Sequence, residues 1–234
     1  MVRDNLASVR ERIRRAAERA KRDPEAIRLV VVTKEADLDQ IREAIEAGVN
    51  DVGENRLKSA LAKQAVFDGS ASLTIDPERS RRVDSHVLTW HMIGHLQSKK
   101  AREAVKLFSL IHSVDSIKLA CIINSEARKI GKTQDVLAEV NVSGEKSKFG
   151  IKPNALSNFI EEAKALKHIN VRGLMTMAPF VENPEIARPI FRKLKELADT
   201  HGLKELSMGM TQDFEVAVEE GATMVRVGSA IFKE

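Results

Sequence analysis

Leu29-Val30-Val31-Val32 is a continuous apolar run bounded by Arg28 and Thr33. A strand with one wet face alternates apolar and polar side chains, whereas an unbroken run belongs to a strand buried on both faces, as in parallel sheets. The period then changes. Leu38, Ile41, Ala44 and Ile45 fall three and four apart with Gly48 as a stop, which is one face of a helix. The same pair of patterns recurs to the end of the chain. A short strand is expected at 49–53, and others near 88–93, 110–114, 136–142, 169–175, 205–208 and 223–227. Helical spacing falls near 54–66, 97–106, 116–130, 154–167, 184–200 and 212–220. Eight strand–helix alternations in 234 residues, the last helix vestigial, predict one α/β domain over 1–234, a closed parallel (β/α)8 TIM barrel.

Two segments lie outside this rhythm. Leu6, Val9, Ile13, Ala16, Ala17 and Ala20 make the apolar face of an extra N-terminal helix that ends before Asp23-Pro24. Its other face is rich in arginine with interspersed glutamate, and is expected to be a solvated face with local ion pairs. Residues 67–87 carry Gly69, Ser70, Ser72, Pro77 and Ser80 with little periodicity, and are expected to form an extended surface loop between helix 2 and strand 3.

Composition narrows the function classes. Lys plus Arg is 38 and Asp plus Glu is 34, so the net charge is only +4, and the signs are interspersed. A nucleic-acid partner is therefore not expected. No apolar stretch approaches a membrane span, and no secretory leader is expected. The lone Cys121 excludes an intramolecular disulfide and fits a reducing cytoplasm. No metal-ligand spacing is present.

Barrel chemistry sits at the carboxyl ends of the strands. Lys34 follows strand 1 directly, where partial desolvation is expected to favour the neutral amine that attacks a carbonyl. Ser207-Met208-Gly209-Met210 follows strand 7, and Val225-Arg226-Val227-Gly228-Ser229 spans the end of strand 8. Those two loops are where such barrels bind phosphate: Gly209 and Gly228 admit close backbone approach, and Ser207 and Ser229 offer hydroxyls. A Schiff-base lysine with a phosphate cradle implies an aldehyde-bearing phosphate, either pyridoxal phosphate or a sugar phosphate. Arg226 shares a strand face with Gly228 and is expected to point into the mouth. Asn55, His91, Asn141 and Ser143 are further mouth candidates.

Taken in order, the motifs carry a resemblance. Val31-Val32-Thr33-Lys34, Val52-Gly53-Glu54-Asn55, Trp90-His91-Met92-Ile93-Gly94-His95, Asn141-Val142-Ser143-Gly144-Glu145, Arg172-Gly173-Leu174-Met175, Ser207-Met208-Gly209-Met210 and Val225-Arg226-Val227-Gly228 together resemble the pyridoxal phosphate homeostasis proteins, the YggS/PROSC family. The likeness runs from about residue 29 to 232. It implies a fold like the N-terminal barrel of alanine racemase and covalent pyridoxal 5'-phosphate as an internal aldimine on Lys34. The implied cofactor-binding set is Lys34, Asn55, His91, Met175, Ser207, Met208, Gly209, Arg226, Gly228 and Ser229, with Arg226 facing the pyridine nitrogen and no metal. The sequence departs from the family pattern at Glu35-Ala36-Asp37, at Lys99-Lys100 and in the long segment 67–87.

The implied role is intracellular pyridoxal phosphate homeostasis: binding, buffering or delivering the cofactor, with apo-enzymes as recipients. The alternative is a pyridoxal phosphate-dependent amino acid racemase. Racemisation needs an acid or base on each face of the substrate. The chain has no tyrosine to match the one alanine racemases place on the second face, and no second β domain is expected after strand 8. A non-catalytic, monomeric carrier is therefore the expectation.

Overall fold

The computed structural model describes residues 1–67, 88–145 and 147–233. Eight parallel strands close a barrel in chain order, each bonded to the next and the last to the first. They are β1 (Arg28–Val32), β2 (Asp51–Glu54), β3 (Thr89–Met92), β4 (Leu110–Val114), β5 (Gln134–Glu139), β6 (Ile169–Met175), β7 (Glu205–Ser207) and β8 (Met224–Val227). The helices outside them are α1 (Val2–Arg19), α2 (Leu38–Glu46), α3 (Leu57–Phe67), α4 (Ala101–Leu107), α5 (Ile117–Lys129), α6 (Leu156–Ala163), α7 (Arg188–Thr200), α8 (Phe214–Glu219) and the single turn α9 (Ser229–Phe232). The expected fold is the observed one. The expected loop at 67–87 lies outside the described residues beyond Phe67, which ends α3.

Alternation along each strand sorts its side chains. On β1, Val31 joins the large core between strands and helices, while Val30 points into the lumen with Leu110, Leu137, Met175 and Met224. That inner cluster is small. Much of the lumen is polar instead, holding His91, His112, Ser207 and Arg226, all almost fully buried.

Two boundaries differ from expectation. β5 begins at Gln134 and ends at Glu139 rather than running over 136–142. Val140 makes only an isolated bridge to Ile151, because the chain leaves the barrel there. The N-terminal helix is also more than an appendage. α1 packs against α2, α8 and α9, with Leu6, Val9 and Ile13 buried. Since α9 is one turn long, α1 fills the place of an eighth barrel helix. Its arginines include the expected local pairs, such as Arg14 and Arg15 with Glu11. Others reach neighbouring elements instead. Arg10 donates to the carbonyls of Ala47 and Gly48 at the end of α2, and Arg12 pairs with Glu215 over the Phe214 ring. Cations on the last carbonyls of a helix satisfy groups that lack helical partners.

Candidate functional site

A cavity of about 460 Å³ opens at the carboxyl end of the barrel, a size ordinary for a small-molecule site. Lys34, Asn55, Arg226, Gly228 and Ser229 line it together, although they come from the ends of three different strands. Ile93, Met177, Pro179 and Phe180 give it an apolar wall, and Thr211 with Gln212 the loop after β7.

Lys34 sits in the turn after β1. Thr33, just before it, is clamped: its hydroxyl donates to Glu54 Oε1 at 2.6 Å, and Lys63 Nζ bonds both that oxygen, at 2.6 Å, and the Thr33 carbonyl, at 2.5 Å. The backbone beside Lys34 is thus fixed by a buried carboxylate between the barrel and α3. The desolvation expected for Lys34 itself is not what the structure shows. Its side chain is 51% exposed, and its Nζ lies 3.5 Å from Glu35 Oε1. Standing on a turn and not within the strand, the amine reaches the cavity from the solvent side.

Arg226 is the opposite case. It faces inward from β8 and is only 4% exposed. Its Nη1 donates to Ser207 Oγ at 2.5 Å and its Nη2 to the Thr176 carbonyl at 3.0 Å. Burial pulls its pKa down to about 10, while Asp213 and Glu139 oppose the shift, so it stays cationic at neutral pH. Glu139, at the end of β5, has its pKa pushed up to about 7, first by burial and then by Asp115, with Arg226 opposing. Asp213 accepts from the Met210 amide at 2.6 Å and closes the turn after β7; burial raises its pKa.

Gly228 lies where β8 meets β1. A Cβ there would come within 2.8 Å of the Val32 carbonyl oxygen, so only glycine lets this cavity wall close. Ser229 opens α9, and its hydroxyl bonds Thr211 Oγ1 at 3.0 Å, joining the loops after β7 and β8.

The remaining expected residues stand behind the cavity rather than in it. His91 is fully buried in the lumen, and both its nitrogens are already engaged, by Asp51 and His112. Ser207 is also fully buried, its hydroxyl shared between Arg226 and His112 and so turned away from the cavity. Met175 packs in the inner cluster, and Met177 lines the cavity instead. Met208 alternates with Ser207 and therefore faces the helix layer. Gly209, at φ 90°, would bring a Cβ within 2.5 Å of Ala217 Cβ, so its smallness serves the packing of α8. Asn141 and Ser143 organise the loop after β5, with Asn141 bonding Gly144, Glu145 and Lys148.

His112 and Glu139 were not foreseen. His112 sits beside Ser113 within Leu110–Val114, and Glu139 closes Gln134–Glu139 after the apolar Val136–Ala138, and neither position names its partners in the sequence.

The description "Alanine racemase, N-terminal domain" matches residues 5–234. A pyridoxal phosphate homeostasis protein from Aquifex aeolicus (strain VF5) is 41% identical over 237 residues, covering 99% of this chain and 97% of that protein. PipY of Synechococcus elongatus PCC7942, in its structure with PLP bound, is 32% identical with a TM-score of 0.80, covering 99% of this chain and 100% of that one. An alanine racemase of Clostridium difficile 630 has a TM-score of 0.72 at 16% identity and shares the fold, this chain covering 56% of it.

Proposed function

Because the chain belongs to the alanine racemase N-terminal domain family and, within it, to the pyridoxal phosphate homeostasis proteins, we propose that it binds pyridoxal 5'-phosphate covalently through the Lys34 amine and serves cytosolic homeostasis of that cofactor. The observation that carries this reading is the convergence of Lys34, Arg226 and the Gly228-Ser229 turn on one cavity. The residues present fit the group. A primary amine is available for an aldehyde, and Ser229 and Thr211 offer hydroxyls beside a wall that only glycine can form. Lys34, Lys233 and Arg226 supply cations for an anion, against two carboxylates, Glu35 and Asp213; burial disfavours the charge of Asp213. When bound, pyridoxal phosphate supplies an electrophilic aldehyde and a conjugated ring able to absorb electrons.

Lys34, Asn55, Arg226, Gly228 and Ser229 hold the cofactor in this reading. His91, Met175, Ser207, Met208 and Gly209 support that set from behind. The role is that of a carrier, and the arginine supports it. A guanidinium only donates, so it does not share a proton with a ring nitrogen as a carboxylic acid does, and the cofactor beside it is a poor electron sink. Apo-enzymes that need the cofactor are the recipients, and the carrier works as a monomer.

The expected result is a visible absorption band in protein mixed with pyridoxal phosphate, lost in Lys34→Ala. A band unchanged in that variant rejects the tether. The racemase reading has the shared fold in its favour, and against it the absence of tyrosine from the chain. Chiral analysis after incubation with L-alanine distinguishes them: the carrier forms no D-isomer above the level of the Lys34→Ala control.

A further inference from the structure

A string of side-chain hydrogen bonds crosses the lumen from the far end of the barrel to the cavity. Asp51, the first residue of β2, lies 2.8 Å from His91 Nε2. His91 Nδ1 lies 2.9 Å from His112 Nε2, and His112 Nδ1 lies 2.8 Å from Ser207 Oγ. Ser207 Oγ in turn receives Arg226 Nη1. His91, His112 and Ser207 are fully buried. Barrel interiors are ordinarily packed with branched apolar side chains, so this polar string calls for a reason.

Its ends fix its direction. A guanidinium only donates and a carboxylate only accepts. Ser207 Oγ accepts from Arg226, which leaves its own hydrogen for His112 Nδ1. His112 therefore carries its hydrogen on Nε2 and donates to His91 Nδ1. His91 likewise carries its hydrogen on Nε2 and donates to Asp51. Both imidazoles are neutral, and every hydrogen is used once. Burial holds His112 well below its ordinary pKa, and His91, Arg226 and Arg28 add to that in the same direction. A hydrogen on His112 Nδ1 would turn a second donor on Ser207 and strand the hydroxyl hydrogen in the interior, which is costly.

We propose that His112, backed by His91 and Asp51, is a positioning residue: by accepting the Ser207 hydrogen it keeps a lone pair of that oxygen on Arg226 and so holds the guanidinium at the cavity. The identity of the cavity's occupant rests on the function proposed above; the hydrogen-bond direction does not.

Two measurements separate them. Long-range 1H–15N NMR of the full chain without cofactor is expected to show both His91 and His112 as neutral Nε2–H tautomers at neutral pH. A hydrogen on Nδ1 of His112 overturns the proposal whatever the cavity binds. The second measurement titrates folded variants with pyridoxal phosphate. His112→Leu has no acceptor for Ser207 and is expected to weaken retention about tenfold and to shift the visible band. His112→Asn places Oδ1 where Nδ1 stood and is expected to recover affinity to within about threefold of the parent. A leucine variant that matches the parent, or an asparagine variant as weak as leucine, overturns the proposal. If the leucine variant does not fold by circular dichroism, Ser207→Ala takes its place, with the same loss expected and parental behaviour as the overturning result. A parent that binds no pyridoxal phosphate rejects the proposed function, and the tautomers alone then decide the positioning role.

Discussion

The Glu139 carboxyl is buried at the end of β5, and its Oε2 has no hydrogen-bond partner among the described residues. Burial, with Asp115 adding to it, pushes its pKa up to about 7. At low pH the folded and unfolded chains both hold this proton. Between the ordinary carboxylate range and about 7 the folded chain keeps a proton that the unfolded chain has released, so stability falls as pH rises. Above that range the full penalty applies, at most about 3 kcal/mol. Glu139→Gln is therefore expected to be more stable than the parent at pH 8, by up to about 3 kcal/mol, and to converge with it towards pH 4. Urea unfolding at both pH values measures this, and a pH-independent difference contradicts it. Single residues such as Glu139 and His112 were not legible in the sequence, because a polar position in a strand does not reveal its partner across the lumen. Lys34, Arg226, Gly228 and Ser229 were legible, because strand ends on a barrel have a known destination. Ser207 was legible as to its place but not its direction, since Arg226 and His112 both claim its hydroxyl.

At the scale of elements, α1 shows what pattern reading recovers and what it misses. Its apolar face was plain from spacings of three and four. Its docking site was not, because nothing local tells a helix which gap in a ring it fills. Leu6 is fully buried against the barrel, and Leu6→Ala is expected to cost about 3 kcal/mol in urea unfolding. A loss under about 0.5 kcal/mol, the scale of a surface substitution, contradicts that docking. The turn after β7 gives a second measure. Gly209→Ala combines a left-handed backbone with a 2.5 Å approach to Ala217 Cβ, and is expected to destabilise by about 2–4 kcal/mol through displacement of α8. The end of β5 was misjudged because Val140 and Val142 continue the apolar pattern after the strand has left the barrel.

For the whole molecule, a ligand that binds only the folded chain adds stability in proportion to the logarithm of its concentration. Pyridoxal phosphate at a hundred times its dissociation constant is expected to add about 2.7 kcal/mol, and to add nothing at the Lys34 site in Lys34→Ala. Calorimetric melts of both proteins check this; equal shifts contradict it. The closed strand order was legible as a whole because eight repeats of one unit leave few alternatives to a ring. One feature of that ring bears on how it is made. Asn5 on α1 bonds the carbonyl of Ile231 in α9, 226 residues away. During synthesis α1 leaves the ribosome long before β8 and α9 exist. Until they arrive, the stripe of Leu6, Val9 and Ile13 has only the α2 side of its site, and what stays uncovered is the surface a chaperone would hold. The seam of α1 with α8 and α9 thus closes late in assembly, and slowing translation of the codons for α8, β8 and α9 should prolong chaperone occupancy of the nascent chain more than the same delay at mid-chain.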